Sequence, residues 1–348
     1  MPVEQLNVDA QWPELCSGNA SFPKLLGHDR RWLKAIGSGL QQRPILLAYR
    51  ADRGADAGAV QGVLPLIYVK SLLFGKFLVS LPYINTGGVW SVNQQAAVEL
   101  VTQACRMADD FDVRYLELRH EFPLSHPQLS ASRVDKVHMR LDLPESKAAL
   151  DASFKSKLRS QIKKAGEHGL SIRWGRTELL REFYYVFSVN MRDLGTPVFS
   201  KQLFAVILEQ FAEAAEICVV THRQRPVAAG LLIHSHGHTE VPSASSLRAF
   251  NHTSANMWMY GQMLHRAVAR KSSQFDFGRS SVGSGTYKFK AQWGAQPHPA
   301  HWQYYVRQGS VEEMRADAPN KQRLIRLWQK LPVPLTRLLG PAIVRGIP

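Results

Sequence analysis

Disulfide chemistry, metal knuckles and a membrane span are all missing from this sequence. Its three cysteines, Cys16, Cys105 and Cys218, stand far apart, so neither a disulfide framework nor a metal knuckle is indicated, and a reducing compartment fits. No apolar run approaches the length that crosses a bilayer, and the N-terminus carries Glu4 and Asp9 where a leader would carry a basic stretch before an apolar one. The expected location is therefore cytoplasmic. Acidic side chains are scarce too: 28 Asp and Glu face 43 Lys and Arg, a formal net charge of +15. That balance favours a polyanionic partner such as RNA, a phosphorylated sugar or an anionic membrane surface. Nothing in the composition suggests disorder, and 348 residues suffice for about two domains of ordinary size, each with its own core.

Periodicity divides the chain into two similar halves. In the first, Asp29 to Ile36 reads as a helix, and Ile45–Tyr49 and Val60–Val69 as a hairpin around the flexible turn 51–58. Phe77 to Leu81 is a further strand. Ala97, Leu100, Val101, Ala104, Cys105 and Ala108 then recur at helical spacing in a helix starting near Gln94, before strands at Val113–Leu118 and Val134–Leu143. The second half opens with one helix from about Glu145 to His168, stopped by Gly169, and two apolar helices follow, the second capped by Ser200. Strands at Glu216–Thr221, Val227–His234 and His238–Ser245 lead to a helix at Met257–Lys271, and Trp302–Val306 reads as the last strand. The shared order of parts is a weak internal repeat. It predicts an α/β fold of two domains, residues 1–144 and 145–308, followed by a basic helical tail, 309–348.

The densest chemistry lies in FDFGRSSVGSGTYKFKAQWG, Phe275 to Gly294. Glycines 278, 283, 285 and 294 let backbone N–H groups converge, and Asp276, Arg279, Lys288 and Lys290 surround them with charge, as an anion or oxyanion site requires. The plainer alternative is a strand, a Gly-Ser turn and a surface helix with ordinary lysines.

This stretch resembles the C-terminal signature of FemAB-like transferases, in particular those accompanying exosortase and PEP-CTERM exopolysaccharide systems. Leu81–Gly88, Lys157–Arg159 with Ile162–Ala165, Asn190–Pro197, Lys330–Pro332 and Leu339–Pro341 are similar to that group as well. The resemblance implies two tandem GNAT-like domains, each a mixed sheet flanked by helices, and an enzyme that forms an amide on an amino group of a cell-envelope or exopolysaccharide precursor. It implies no resident cofactor and no metal. The co-substrate is aminoacyl-tRNA or acyl-CoA.

By that resemblance Lys290, of the pair Phe289-Lys290, lies at the reacting centre, where its ammonium steadies the oxyanion formed as an amine attacks an ester or thioester carbonyl. One such donor is worth about 3 kcal/mol. Lys288 is the natural confounder. Asp276 and Arg279 either shape the site and bind an acceptor phosphate or simply pair with each other, and Asp276 is a candidate proton acceptor. Lys155, Lys157, Arg159, Lys163 and Lys164 form a basic helix face that suits a diphosphate or an RNA backbone, or merely a solvated surface. Arg192 lies in a loop read as cleft lining or capping, and Tyr287 and Tyr260 are placed with the substrate. After Tyr260 come Gly261 and Gln262, where relatives carry an aromatic and an acid, so the acceptor differs if that acid binds it.

Residues 247–256, before the helix at Met257, hold no glycine of the kind that cradles a CoA pyrophosphate, which favours the aminoacyl-tRNA donor. Asn251, Ser254 and Asn256 are read as N-cap residues. His234, His236 and His238 alternate with Glu240, a pattern that invites zinc, although Gly237 favours a turn. The tail mixes Arg323, Arg326 and Lys330 with Leu324, Leu327 and Trp328. It either packs back over the first domain or rests peripherally on the inner face of the membrane, using Trp328 and the arginines. The rivals to the main reading are an acyl-CoA-dependent N-acyltransferase on the same scaffold and a non-catalytic protein that binds RNA or membrane.

Overall fold

A computed structural model of the chain describes residues 2–8, 26–51, 57–310 and 322–347. Cys16, residues 52–56 of the expected flexible turn and Lys321 lie outside the described residues. Two compact units emerge: Met1–Asp135 with Pro299–Pro319 and Ala342–Pro348, and Lys136–His298 with Asn320–Pro341. Each is a mixed sheet flanked by helices.

The first unit holds β1 (Val3–Leu6), α1 (Arg31–Leu40), β2 (Arg43–Arg50), β3 (Val60–Ser71), β4 (Gly75–Val79), β5 (Trp90–Ser91), α2 (Gln94–Asp110), β6 (Tyr115–His120) and β7 (Ala131–Arg133). Asn93 caps α2 by accepting from the Ala96 N–H at 2.8 Å, and the stripe Ala97 to Ala108 packs against Leu64, Leu66, Leu116 and Leu118 of the sheet. The sheet order is β1-β2-β3-β4-β6, then a strand from later in the chain, then β7, with β5 beside β3. The strand Trp302–Val306, expected to end the second domain, is here β15 (His301–Val306), paired antiparallel with β6 and β7 of the first sheet. Packing explains the return: Tyr304 is buried and its ring meets Tyr115 of β6 at 5.8 Å.

The second unit comprises β8 (Lys136–Asp142), α3 (Lys147–Ser153), α4 (Ser156–Gly166), β9 (Leu170–Gly175), α5 (Leu180–Leu194), α6 (Lys201–Phe211), β10 (Ala215–His222), β11 (Arg225–Ser235), β12 (His238–Ser246), α7 (Ala255–Ala269), β13 (Gln274–Ser281), α8 (Gly285–Ala291) and β14 (Gln296–Pro299). Their order is β14-β8-β13-β12-β11-β10-β9. Met259, Met263 and Leu264 of α7 pack on Cys218, Val220 and Leu232 at one face. On α5 and α6, Phe183, Phe187 and Phe204 stack together as a second buried group. β11 is buried along its middle, as a strand covered on both sides must be.

The single helix expected over 145–168 is broken. Phe154 and Lys155 are extended, so α3 ends and α4 begins anew. The break delivers Phe154 to the core, edge-on to Trp293 at 5.5 Å; burying an aromatic ring outweighs one helical turn. In the tail, α9 (Gln322–Gln329) and α10 (Val333–Val344) follow. Ile325 stands against Gly195, Gln329 Nε2 donates to the Asp193 carbonyl and Arg337 Nε to Ser188 Oγ, so these residues dock on α5. The end of α10 belongs with the first unit, where Gly346 meets Ser71. No helix of the described residues is long and apolar enough to cross a membrane.

Candidate active site

In each unit a strand, a helix and a second strand parallel to the first recur: β4-α2-β6 and β12-α7-β13. The parallel pairing is short in both. β4 and β6 pair over Phe77–Val79 and Tyr115–Glu117, and β12 and β13 only over His238–Glu240 and Gln274–Asp276, although both run on for five or six residues. Where such strands part, backbone groups lose their partners and a gap opens between them.

The first unit fills its gap. Ser80 N–H donates to the Glu117 carbonyl at 2.9 Å and Ser80 Oγ accepts from the Arg119 N–H at 2.8 Å. The Arg119 guanidinium, 4% exposed, donates to Glu117 Oε1 at 2.7 Å and to the Ile84 carbonyl at 2.6 Å, and lies 4.1 Å from the Trp302 ring centre. A hollow of about 160 Å³ nearby is lined by Gly88, His120 and Phe122 among others. Burial pushes His120 down to about 4, and its Nδ1 is tied to Gln303 Oε1 at 3.0 Å. At neutral pH its ring is uncharged.

The second unit gathers charge at the matching place. Directly opposed across β12, β13 and β8 stand Glu240, Asp276 and Arg140. Arg140 Nε donates to Asp276 Oδ2 at 3.0 Å. Asp276 Oδ1 accepts from the Gly278 N–H at 2.7 Å. The register with β8 shifts between Asp276 and Arg279, a bulge in which Gly278 takes φ 77°; only glycine adopts that conformation without strain. The bulge turns two consecutive carbonyls towards α8, and Lys290 Nζ donates to both, Gly278 O and Arg279 O, at 3.0 Å each.

Lys290 is 8% exposed. Burial pushes its ammonium down to about 8; the nearby Asp276 carboxylate opposes the shift and Arg279 adds to it. An ammonium has three N–H donors, so one remains after the two carbonyls are served. The carboxyl of Glu240, a residue equally buried, makes no side-chain hydrogen bond among the described residues. Burial first, and then the Asp276 charge, push its carboxyl well above the ordinary range, with Arg140 acting the other way. A buried cation whose proton is loosened and a buried carboxyl that holds its proton more tightly thus both feel the charge of Asp276.

The residues singled out from sequence fall in three places. Asp276, Arg279 and Lys290 are brought together. Lys288 is exposed, so the two lysines of α8 part by burial. Tyr287 is partly buried at the start of α8, which Ser284 caps through the Tyr287 N–H at 3.2 Å. Tyr260 lies in the core, stacked on Phe277 at 5.6 Å and edge-on to Phe289 at 5.0 Å, where it braces α8 against α7. Gly283 and Gly285 border open space, since a Cβ at either would touch nothing within 4 Å, whereas the Gly278 bulge offers carbonyls that hold the Lys290 ammonium.

Lys157, Arg159, Lys163 and Lys164 are exposed on α4. Among them Lys164 lines a hollow of about 300 Å³ with Gln161, His168, His252, Ser254 and Met257, at the first turn of α7. Ser254 occupies the N-cap position with φ 53°, and its side chain makes no cap hydrogen bond. Arg192 turns to Asp193 Oδ1 at 2.6 Å and to the Leu331 carbonyl at 3.2 Å, which ties α5 to the tail. His234 is likewise committed, Nε2 with Glu216 and Nδ1 with Thr239, both at 2.8 Å, and His236 and Gly237 form the expected turn.

Arg140 and Glu240 were not picked out from the sequence as residues of this site. A signal existed in β8, where His138 and Arg140 alternate with Val137, Met139 and Leu141, but only pairing with β13 gives Arg140 a role.

Residues 152–291 match the model of the acetyltransferase (GNAT) domain. The second unit carries a GNAT domain. The chain is accordingly an acyltransferase, and Glu240, Asp276 and Lys290 all fall within the matched span. Among solved structures it is similar to FemX, at a TM-score of 0.58 and 14% identity over 85% of this chain and 93% of that one. It is also similar to a C-terminal domain of the DUF2156 type from Agrobacterium fabrum, at 0.53 and 10% over 81% and 88%. L-PGS from Bacillus licheniformis follows at 0.50 and 14% over 89% and 91%. At such identities the likeness is one of fold: two tandem GNAT-like domains. No curated protein matches the sequence.

Proposed function

We propose that the protein is a FemAB-like N-acyl- or aminoacyltransferase that forms an amide on an amino group of a cell-envelope precursor, with its reacting centre at Lys290. One observation carries the reading: the Lys290 ammonium is held by two bulge carbonyls at the point where β12 and β13 part. An ammonium so fixed has a spare donor and little freedom to reorganise, which is the condition for stabilising an oxyanion.

The chemistry balances without a resident cofactor. The acceptor's amine nitrogen attacks the donor's ester or thioester carbonyl carbon, a C–N bond forms, and the carbonyl oxygen takes the negative charge that Lys290 steadies. Collapse breaks the C–O or C–S bond. Glu240 takes the proton shed by the amine and returns it to the departing alkoxide or thiolate, the step for which a raised carboxyl is suited. Asp276 is already committed to Arg140 and the Gly278 N–H; in this reading it positions the bulge instead of carrying the proton.

The hollow beside Lys164 and His252 supports a phosphate-bearing donor, since the N-terminus of α7 and a lysine both favour anions. Aminoacyl-tRNA and acyl-CoA share that feature, and the exposed α4 cations extend it in the manner an RNA backbone needs. For the acceptor we infer an exopolysaccharide or lipid-linked sugar intermediate of an exosortase-associated system, supported by the resemblance of the Phe275–Gly294 stretch.

Mass spectrometry of the ligand that copurifies with the protein, followed by turnover with that compound, tests this reading. Charged tRNA or an aminoacylated sugar is the expected class. Protection against heat unfolding by CoA, with no response to charged tRNA, would replace the aminoacyl donor. Turnover that survives Lys290→Met unchanged would remove the assigned centre.

A further inference from the structure

Helices in water-soluble proteins bury their leucines and expose their polar residues. The tail helices do the reverse. Thr336 of α10 is 1% exposed, the Arg337 guanidinium is bonded to Ser188 Oγ of α5 and set over the Tyr184 ring, and Gly340 meets Val198, just past α5. Outward α10 shows Leu338, 75% exposed, together with Leu335 and Leu339. In α9 the inner face is Ile325, Gln329 and Trp328, whose indole nitrogen is enclosed. Leu324 and Leu327, 67% and 62% exposed, point away. Trp328, which the membrane alternative put against lipid, faces inward, and the exposed leucines face outward in its place. Five exposed leucines on two consecutive helices make an apolar surface that calls for an occupant.

We propose that this outer face of α9 and α10 docks on an anionic lipid bilayer. Charge names the occupant. From Gln322 to Ile347 there is no Asp or Glu, and Arg323, Arg326 and Lys330 lie exposed beside the leucines. Such a face sinks its leucines into the acyl boundary while the arginines reach phosphate groups. A second copy of the chain would bring the same cations against themselves, and two like-charged faces repel. The inference concerns the tail alone and does not depend on which acyl group is transferred.

Co-sedimentation of the full-length protein with vesicles tests it. Vesicles of phosphatidylcholine containing phosphatidylglycerol should carry the protein down; pure phosphatidylcholine vesicles should not. The combined substitution Leu324→Ser, Leu327→Ser and Leu338→Ser should weaken binding by at least about tenfold, with unchanged far-UV circular dichroism. Arg323→Gln with Arg326→Gln should weaken it by less and lessen its salt dependence. Equal sedimentation of wild type and the leucine variant overturns the proposal, as does binding lost with the arginines alone. A dimer in analytical ultracentrifugation that the leucine variant abolishes, with no vesicle binding by the wild type, assigns the face to a second copy instead.

Discussion

Lys290 Nζ donates a 3.0 Å hydrogen bond to the carbonyl oxygen of Gly278, and that carbonyl is turned towards α8 because Gly278 holds φ 77° in a β-bulge. A side chain twelve residues away in sequence thus depends on one backbone angle. The ammonium sits at the edge of its charged range as a consequence, since burial pushes it down to about 8 while Asp276 resists.

Lys290→Met should lower kcat by roughly a hundred- to a thousandfold, the usual effect of deleting an oxyanion donor, while Lys288→Met, at an exposed position, should stay near wild type. Steady-state rates with the identified donor check this. Equal losses in both variants would contradict the assignment.

The same lysine makes stability depend on pH. Folded Lys290 gives up its proton near 8, whereas an unfolded lysine holds it to 10.5. Between those values the unfolded chain binds the extra proton, so stability rises with pH, by about 3 kcal/mol over the window. Urea unfolding of wild type against Lys290→Met, at pH 7 and pH 10, should show the wild type gaining on the variant as pH rises.

Glu240→Gln should erase the acid limb of the pH–rate profile and cut the rate by about a hundredfold or more. Its stability effect runs opposite to that of the lysine. A carboxyl whose folded pKa is raised contributes stability below its unfolded value and loses it as pH rises towards the folded one. The glutamine variant should therefore unfold at a higher temperature than wild type at neutral pH, with the difference vanishing in acid.

Gly278→Ala forces a left-handed angle on a residue with a Cβ, at a cost of about 1–2 kcal/mol, and displaces the carbonyls that hold Lys290. A drop in kcat larger than this modest loss of stability would imply, with KM little changed, that the bulge serves the reaction. An effect confined to melting temperature would show that it serves only the fold.

Arg119→Met offers the contrasting case in the first unit. It strands Glu117, which is buried at 4% exposure, and should cost about 3–5 kcal/mol. Turnover per folded molecule should hold, because that gap is already filled and carries no chemistry in our reading. Thermal melts alongside active-site-normalised rates separate the two effects.

Local pattern was enough to place most elements. The Ala97–Ala108 stripe, the Ser200 cap and the turn at Gly237 depend on neighbours in sequence, and helical or strand period reports such neighbours directly. The motif from Phe275 to Gly294 likewise announced a lysine and an acid in one place, as well as the tandem GNAT-like fold through its resemblance. Tertiary structure decided the rest, for reasons of pairing and burial. Only the register of β8, β13 and β12 sets Arg140 and Glu240 on either side of Asp276, residues that lie 136 and 36 positions from it in the chain. Only packing breaks the 145–168 helix at Phe154, sends β15 to the first sheet, and tells buried Lys290 from exposed Lys288. Charge type is written in the sequence, but the dielectric around a charge is set by what folds over it.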